Sequence, residues 1–281
     1  MTRLAPFLFV FLWSTGFIGA KFGLPHAAPL AFLFVRYLLV IALMGSIALL
    51  WRAPWPRDGR QWLHIGIAGL LVHATYLGGV FIAIGKGLPA GITALVVGLQ
   101  PLLTATIAGR LLGETVLPRQ WLGLVLGFAG TGMVVSGKLG SGFGIAALLP
   151  ACVALLGITL GTLYQKRFAP HFDWRSGAVA QFLPSALVTG AIVFVRDDFR
   201  IDWTGEFAFA LGWLVLVLSV GAISLLNWLI RHGSAVNVAS LFYLTPPTTA
   251  LLAWGLFGET LGGIALAGMA LAVWGVYLSR R

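Results

Sequence analysis

Long apolar stretches alternate with short polar breaks along the whole chain of 281 residues. A helix needs roughly 20 mostly apolar residues to cross the hydrocarbon core of a bilayer. Ten stretches meet this requirement, at residues 4–23, 29–51, 61–85, 89–110, 118–137, 143–165, 176–195, 206–230, 234–256 and 262–279. Turn-forming segments such as RAPWPRDGR separate them. The pattern predicts an all-α polytopic membrane protein with ten transmembrane helices.

The composition also indicates a lipid environment. Hydrophobic residues make up 59% of the chain and charged residues only 9%, whereas soluble domains carry about 25% charged residues. A water-soluble protein of this composition could not cover its surface. The first apolar stretch has no obvious small-residue cleavage site before Lys21, so we interpret it as a membrane helix and not as a removed signal.

The distribution of positive charge predicts the orientation. A net charge of +10 would suggest nucleic acid binding in a soluble protein, but here lysine and arginine lie mainly in loops. With both termini in the cytoplasm, that side carries twelve basic residues and the opposite side five, with Arg36 inside a span. The positive-inside rule therefore predicts a multi-pass protein of the cytoplasmic (inner) membrane with both termini cytoplasmic. We expect the protein to lie in a lipid bilayer and to bind no nucleic acid.

An internal repeat runs through the chain. Gly-Glu-Thr occurs at 113–115 and again at 258–260, an offset of 145 residues, and the same offset places Pro101 on Pro246 without a gap. We interpret the chain as two five-helix repeats, residues 1–140 and 141–281, that together form one domain. Because five is odd, the second repeat must enter the membrane inverted, an arrangement common in transporters.

Both repeats carry a proline followed twelve residues later by Gly-Glu, at the end of their fourth predicted helix. In a ten-helix inverted frame, this sequence resembles the drug/metabolite transporter superfamily, specifically its EamA-type carriers, over the whole chain. Within that group it is similar to bacterial aromatic amino-acid exporters. The resemblance implies a secondary transporter that exports small metabolites, including amino acids.

Several polar and aromatic side chains lie at mid-helix positions. His73 and Tyr76 are three residues apart and share a face in an α-helix. Trp13 lies away from the interfacial belt that tryptophan prefers, and with Tyr76 and Tyr243 it could line an apolar cavity. Core packing explains the His73 and Tyr76 pattern nearly as well, and a packing or lipid-facing role explains each aromatic side chain at least as well. His73 also lies near mid-membrane, and histidine is the residue type whose side chain ordinarily titrates near neutral pH.

Gln100 and Thr245 directly precede Pro101 and Pro246. Each proline frees a backbone carbonyl one turn earlier, which lipid-embedded helices tolerate beside a partner or a cavity. We predict Pro101 and Pro246 as hinges, although kinks that only shape the bundle are an alternative. The predicted substrate-binding residues are Trp13, His73, Tyr76, Gln100, Tyr243 and Thr245.

Arg36 and Asn227 also fall inside predicted spans. A rise of 1.5 Å per residue from Pro29 places Arg36 about 10 Å inside the membrane. Its counterpart at the repeat offset, Gln181, is polar too, which indicates a shared inward-facing position. Arg36 could attract a substrate carboxylate or phosphate, or it could bind free backbone carbonyls. A structural role is the interpretation that we favour.

Small residues and the repeated glutamates have structural interpretations. Gly123, Gly127 and Gly130 match Gly268, Ala272 and Gly275 at the repeat offset, which predicts a close helix seam within the chain or between two protomers. We expect a monomer. Glu114 and Glu259 immediately precede helices on opposite sides of the membrane, where a carboxylate is favoured by free backbone N–H groups.

No cofactor, metal or nucleotide site is expected. The segment 132–138 spells G-x-x-x-x-G-K but continues with Leu139, whereas a P-loop needs serine or threonine there. The single cysteine, Cys152, excludes a multi-cysteine metal site. The five histidines are scattered over different segments, which argues against an enzyme acting on lipid. A passive pore or scaffold is the remaining alternative to a gradient-driven carrier.

Overall fold

The computed structural model describes residues 4–88, 90–136, 145–196, 198–257 and 261–280. These residues are almost entirely helical, apart from loops and an isolated antiparallel bridge between Ala27 and Ile201. The helices are α1 Ala5–Gly23, α2 Pro29–Leu50, α3 Gly59–Gly85, α4 Ala90–Val97, α5 Gln100–Leu112, α6 Pro118–Ser136, α7 Leu148–Phe168, α8 Trp174–Arg196, α9 Gly205–His232, α10 Ala235–Ser240, α11 Thr245–Phe257 and α12 Gly263–Ser279.

Within the described residues, six helices are long and apolar enough to cross a membrane. They are Pro29–Leu50, Gly59–Gly85, Ile92–Leu112, Leu148–Phe168, Trp174–Arg196 and Gly205–His232. The prediction of an all-α, multi-pass membrane protein is confirmed. The count of ten membrane helices stays a prediction, because the helices at the other four predicted spans are not among these six.

Polar side chains outside the apolar stretches set the starts of several helices. The Oδ1 atom of Asp58 accepts from the backbone N–H of Gln61 at 2.7 Å, so α3 begins two residues before the apolar stretch does. Thr204 and Ser234 cap α9 and α10 in the same way. At the start of α8, hydrogen bonds from the Arg175 side chain hold the pKa of Asp173 below its usual range.

Helices that start 145 residues apart pack against each other. Helix α6 lies along α12, with starts at Pro118 and Gly263, and α2 lies along α8, with starts at Pro29 and Trp174. A β-carbon on Gly130 would lie only 2.4 Å from the backbone nitrogen of Ala272. The predicted small-residue seam therefore joins α6 to α12 within one chain, because the two backbones touch where side chains are absent.

Two helices are interrupted just before the predicted hinge prolines. Gly98 and Leu99 separate α4 from α5, and a 3₁₀ turn, Leu241–Leu244, separates α10 from α11. Proline is well tolerated in the first turn of a helix, where its missing N–H has no partner in any case. Pro101 and Pro246 thus lie in the first turn of a new helix segment. Their role as hinges stays a prediction.

Candidate functional site

A cavity lies among α1, α2, α3 and α9, in the interior of the helix bundle. It has a volume of about 40 Å³, measured as the space open to the centre of a water molecule. Its walls are mainly apolar and aromatic, with one basic side chain among the described residues that line them. The lining includes Trp13, Ala20, Arg36, Tyr76, Phe81 and Leu218.

Aromatic contacts form one wall of the cavity. The rings of Trp13 and Tyr76 are stacked, with centroids 6.2 Å apart and planes inclined by 10°. Phe242 meets the Trp13 ring edge-on at 5.3 Å, and Phe9 meets it at 5.2 Å. All four side chains are buried. The structure therefore brings together two of the predicted substrate-binding residues, one from α1 and one from α3.

His73 lies outside the residues that line the cavity, although it is only three residues from Tyr76. Its ring stacks on Phe182 of α8, with centroids 3.9 Å apart. The reason is a π-helical stretch, Leu70–Leu77, inside α3. The wider turn of a π-helix rotates residues three apart away from a common face. In a regular α-helix the two side chains would share one face, as the sequence pattern predicted.

The other predicted site residues are buried elsewhere. Gln100 lines a second, smaller cavity of about 10 Å³, and its Oε1 atom has no hydrogen-bond partner. The Tyr243 ring packs over the position of Gly127 on α6. The side-chain hydroxyl of Thr245 is also without a partner, while its backbone carbonyl accepts from Ser14 Oγ at 3.3 Å. Their role as substrate contacts stays a prediction.

Arg36 also lines the cavity, although a structural role was the one favoured from its sequence position. It is only 2% exposed, lines the cavity beside Trp13 and Tyr76, and its Nε atom donates to Ser219 Oγ of α9 at 3.1 Å. The signal for it was present, since a charged residue within a membrane helix is a functional candidate by default. What the sequence could not show is that the neighbouring side chains leave its charge facing a cavity.

Three amide side chains form a closed ring between α7, α8 and α9. The Nε2 atom of Gln181 donates to Gln165 Oε1 at 2.9 Å, and Gln165 Nε2 donates to Asn227 Oδ1 at 3.0 Å. Asn227 Nδ2 closes the ring by donating to Gln181 Oε1 at 3.4 Å. All three residues are buried. The ring satisfies polar groups that would otherwise be costly in a lipid environment.

Glu114 links the two halves of the chain at one end of the bundle. Its carboxylate lies 2.8 Å from Lys166 Nζ, and both carboxylate oxygens accept from the backbone N–H of Ala235, at 2.9 and 3.0 Å. Lys166 also donates to the carbonyl of Gly233. Glu114 therefore caps the start of α10, and not the helix that follows it in sequence. Glu259, its predicted counterpart, lies outside the described residues.

Comparison with known proteins establishes the family. The sequence model of the EamA-like transporter family matches the chain at residues 3–136 and again at residues 145–281. This chain belongs to the EamA-like transporter family. The resemblance noted from the sequence is confirmed, and the protein is a multi-pass membrane transporter.

Relatives of this EamA-like transporter match it over nearly its whole length. The Escherichia coli (strain K12) protein described as the uncharacterized inner membrane transporter YedA is 28% identical, over 98% of this chain and 89% of its own. A Salmonella typhimurium protein described as a probable amino-acid metabolite efflux pump is 27% identical, over 97% and 92%. A crystal structure with 23% sequence identity has a TM-score of 0.79 over 98% of this chain and 94% of that chain. That likeness shows a shared fold.

The contacts of Glu114 in this EamA-like transporter predict that its replacement destabilises the protein more than replacement of an exposed glutamate, Glu206. Glu114→Gln removes the charge from a carboxylate whose side chain is only 18% exposed. Hydrogen bonds and ion pairs to such a charged group are worth about 1.5–3 kcal/mol, so we expect the free energy of unfolding to fall by about 2 kcal/mol. Thermal unfolding of the detergent-solubilised protein measures the change.

Glu206→Gln is the matched control. The Glu206 carboxylate also has a side-chain partner, His26 Nε2 at 3.2 Å, but its side chain is 69% exposed. Exposed pairs contribute about 0–1 kcal/mol, so we expect a shift of less than about 0.5 kcal/mol. Equal losses in the two variants would contradict the role of Glu114 as a link between the helices.

Proposed function

We propose that this protein is a secondary transporter of small amphipathic metabolites, which exports amino acids including aromatic ones. The observation that carries the proposal is the cavity beside Trp13 and Tyr76, which is lined by helices of both halves of the chain. Apolar and aromatic walls with a few polar groups are typical of small-molecule sites. The membrane in which it acts is the cytoplasmic (inner) membrane, as for the relative described as an inner membrane transporter.

The proposed architecture is ten membrane helices in two inverted five-helix repeats, residues 1–140 and 141–281, with both termini in the cytoplasm. The twofold match of the family model supports it. The positions of the helices support it too, because the interruptions before Gln100 and Thr245 and the starts of α6 and α12 are each 145 residues apart. Substrate sites of such carriers lie near the membrane midplane between the repeats.

Alternating access is the proposed mechanism. A cavity of about 40 Å³ is far smaller than the roughly 300–1,000 Å³ of typical small-molecule pockets, so an aromatic side chain enters only if the surrounding helices move apart. The helix interruptions at Pro101 and Pro246 are where we propose that bending occurs, since backbone hydrogen bonds are already missing there. The seam between α6 and α12 stays closed and holds the two repeats together, which favours a functional monomer.

Reconstituted transport tests the proposal. Purified protein in proteoliposomes loaded with unlabelled amino acid should take up labelled phenylalanine or tryptophan by counterflow, with saturation. Tyr76→Ala removes one wall of the cavity and should reduce this uptake at least about tenfold, because buried aromatic anchors dominate binding energy. His73→Ala tests the remaining predicted contact on α3.

The control is Tyr277→Ala, which removes a tyrosine that is 42% exposed on α12. Its uptake should match that of the unchanged protein. Unchanged uptake in Tyr76→Ala, with folding intact, would show that the cavity is not the substrate site, and unchanged uptake in His73→Ala would remove His73 from the substrate contacts. Uptake that does not saturate would indicate a passive pore instead of a carrier.

A further inference from the structure

Arg36 carries a buried charge for which the described residues provide no counter-charge. Its Nε atom donates to a neutral acceptor, the hydroxyl of Ser219, at 3.1 Å. The ion pairs within the described part of the chain involve other residues, and the carboxylates described there lie in loops or at helix ends. A serine hydroxyl satisfies one N–H group of a guanidinium that has five.

An unpaired charge in this position is costly. A buried ion loses several kcal/mol of hydration, and this loss is recovered only when an opposite charge and hydrogen bonds are supplied. Intramembrane arginines are therefore rare, and they mark pathways for ions or substrates. The corresponding position on α8 holds an uncharged residue, Gln181, whose side chain is held by hydrogen bonds with Gln165 and Asn227. The charge of Arg36 is explained if a ligand supplies the missing anion.

The chemistry around Arg36 defines that ligand. A guanidinium binds a carboxylate through two parallel hydrogen bonds, which fixes its orientation. The neighbouring walls are the stacked rings of Trp13 and Tyr76, together with Phe81 and apolar side chains of α9. These walls suit an aromatic or branched apolar body. The described residues that line the cavity include no carboxylate, so an ammonium group meets no opposite charge there.

We propose that the substrates are carboxylates with an aromatic or branched apolar body, and that Arg36 binds their carboxylate group. This inference rests on the proposed transport function of the same cavity and names its substrate class. It adds that the carboxylate is required and the α-ammonium group is not. Amino acids are substrates through their carboxylate, and the corresponding acids without the amino group bind equally well.

Three probes that share a phenyl ring separate these requirements. 3-Phenylpropanoate carries only the carboxylate, phenylalanine carries both charged groups, and phenethylamine carries only the ammonium group. In counterflow with the proteoliposomes, we expect the first two to be transported and to compete with each other. Phenethylamine should be at least about tenfold weaker, because a site built to bind a polar group rejects analogues that lack it.

Variants at Arg36 assign the requirement to this residue. Arg36→Gln should reduce transport of 3-phenylpropanoate at least about tenfold, and Arg36→Lys should retain part of it, because lysine keeps the charge but not the two-point contact. The control is Lys86→Gln, which removes an exposed cation at the end of α3 outside the cavity and should change nothing. In detergent, 3-phenylpropanoate should raise the unfolding temperature of the unchanged protein but not that of Arg36→Gln.

The outcomes separate this inference from the transport function itself. Transport of phenethylamine as fast as that of 3-phenylpropanoate would overturn the inference, as would full carboxylate transport by Arg36→Gln, while a carrier function would stand. Absence of saturable transport for these probes, other amino acids, nucleosides and cationic drugs would overturn the transport proposal itself. If Arg36→Gln does not fold, the preference of the unchanged protein among the three probes decides the question.

Discussion

Replacing Gly130 with alanine is expected to lower the free energy of unfolding by about 3 kcal/mol. The new β-carbon would lie 2.4 Å from Ala272 N and 2.6 Å from Gly268 O. These are backbone atoms of α12, which cannot rotate away as the end of a side chain can. Overpacking of this kind typically costs about 1–3 kcal/mol, and a clash with backbone lies at the upper end.

The matched control is two residues away on the same helix. A β-carbon on Gly132 has as its nearest neighbour a side-chain carbon of Leu95, at 3.9 Å. Gly132→Ala should therefore leave stability unchanged, or raise it by up to about 1 kcal/mol because alanine favours the helix. Thermal unfolding in detergent compares the two variants. Equal stability of Gly130→Ala and Gly132→Ala would show that α6 and α12 are not in backbone contact.

Replacing Asn227 with alanine should cost about 2 kcal/mol of unfolding free energy. The change removes both hydrogen bonds that Asn227 makes in the amide ring, to Gln165 at 3.0 Å and to Gln181 at 3.4 Å. Hydrogen bonds between membrane helices contribute about 0.6 kcal/mol each on average. The Gln165 Nε2 donor and the Gln181 Oε1 acceptor, both left unpaired, add a desolvation cost, since unsatisfied buried groups cost about 1–3 kcal/mol.

Two further variants test the ring as a unit. Gln120→Ala removes three amide hydrogen bonds, with Ser279, Asn237 and the backbone N–H of Leu117, but at a half-buried site near helix ends. It should cost less than half as much as Asn227→Ala. Replacing all three ring amides with leucine should cost less than the sum of the three single leucine variants, because no amide is left unpaired. Additive losses would contradict a closed ring.

The helix positions and the seam were predictable because their causes are local. Apolar stretches and turn residues determine where a helix can span lipid, so most observed bounds lie within a few residues of the predicted ones. The contact between Gly130 and Ala272 follows from small residues at matched positions in the two repeats. The comparison of residues 145 apart needed no knowledge of the fold.

The contents of the site were less predictable, because they depend on contacts between distant segments. The π-helical turn in α3 separates His73 from Tyr76, and nothing in the residue pattern LLVHATYL marks it. Glu114 was expected to favour the helix after it, yet it binds the start of α10, 121 residues away. The importance of Arg36 depends on which side chains surround it. Contacts between residues far apart in the chain leave no recognisable pattern in the sequence.

The central claim is a cavity that opens alternately to the two sides of the membrane, and labelling of a residue inside the cavity tests it most directly. Cys152 is the only cysteine in the sequence, so Cys152→Ala provides a background without reactive thiols. Ala20 is buried and lines the cavity, and Ala20→Cys places one thiol there. Val276→Cys, buried in the main hydrophobic core, is the control and should stay unlabelled.

The measurement is the labelling of Ala20→Cys by a membrane-impermeant maleimide, in intact cells and in inverted membrane vesicles. Alternating access predicts labelling from both sides of the membrane, with slower labelling on each side when 3-phenylpropanoate is present. Labelling from one side only, under all conditions and with or without that ligand, would contradict a cavity that opens alternately to the two faces.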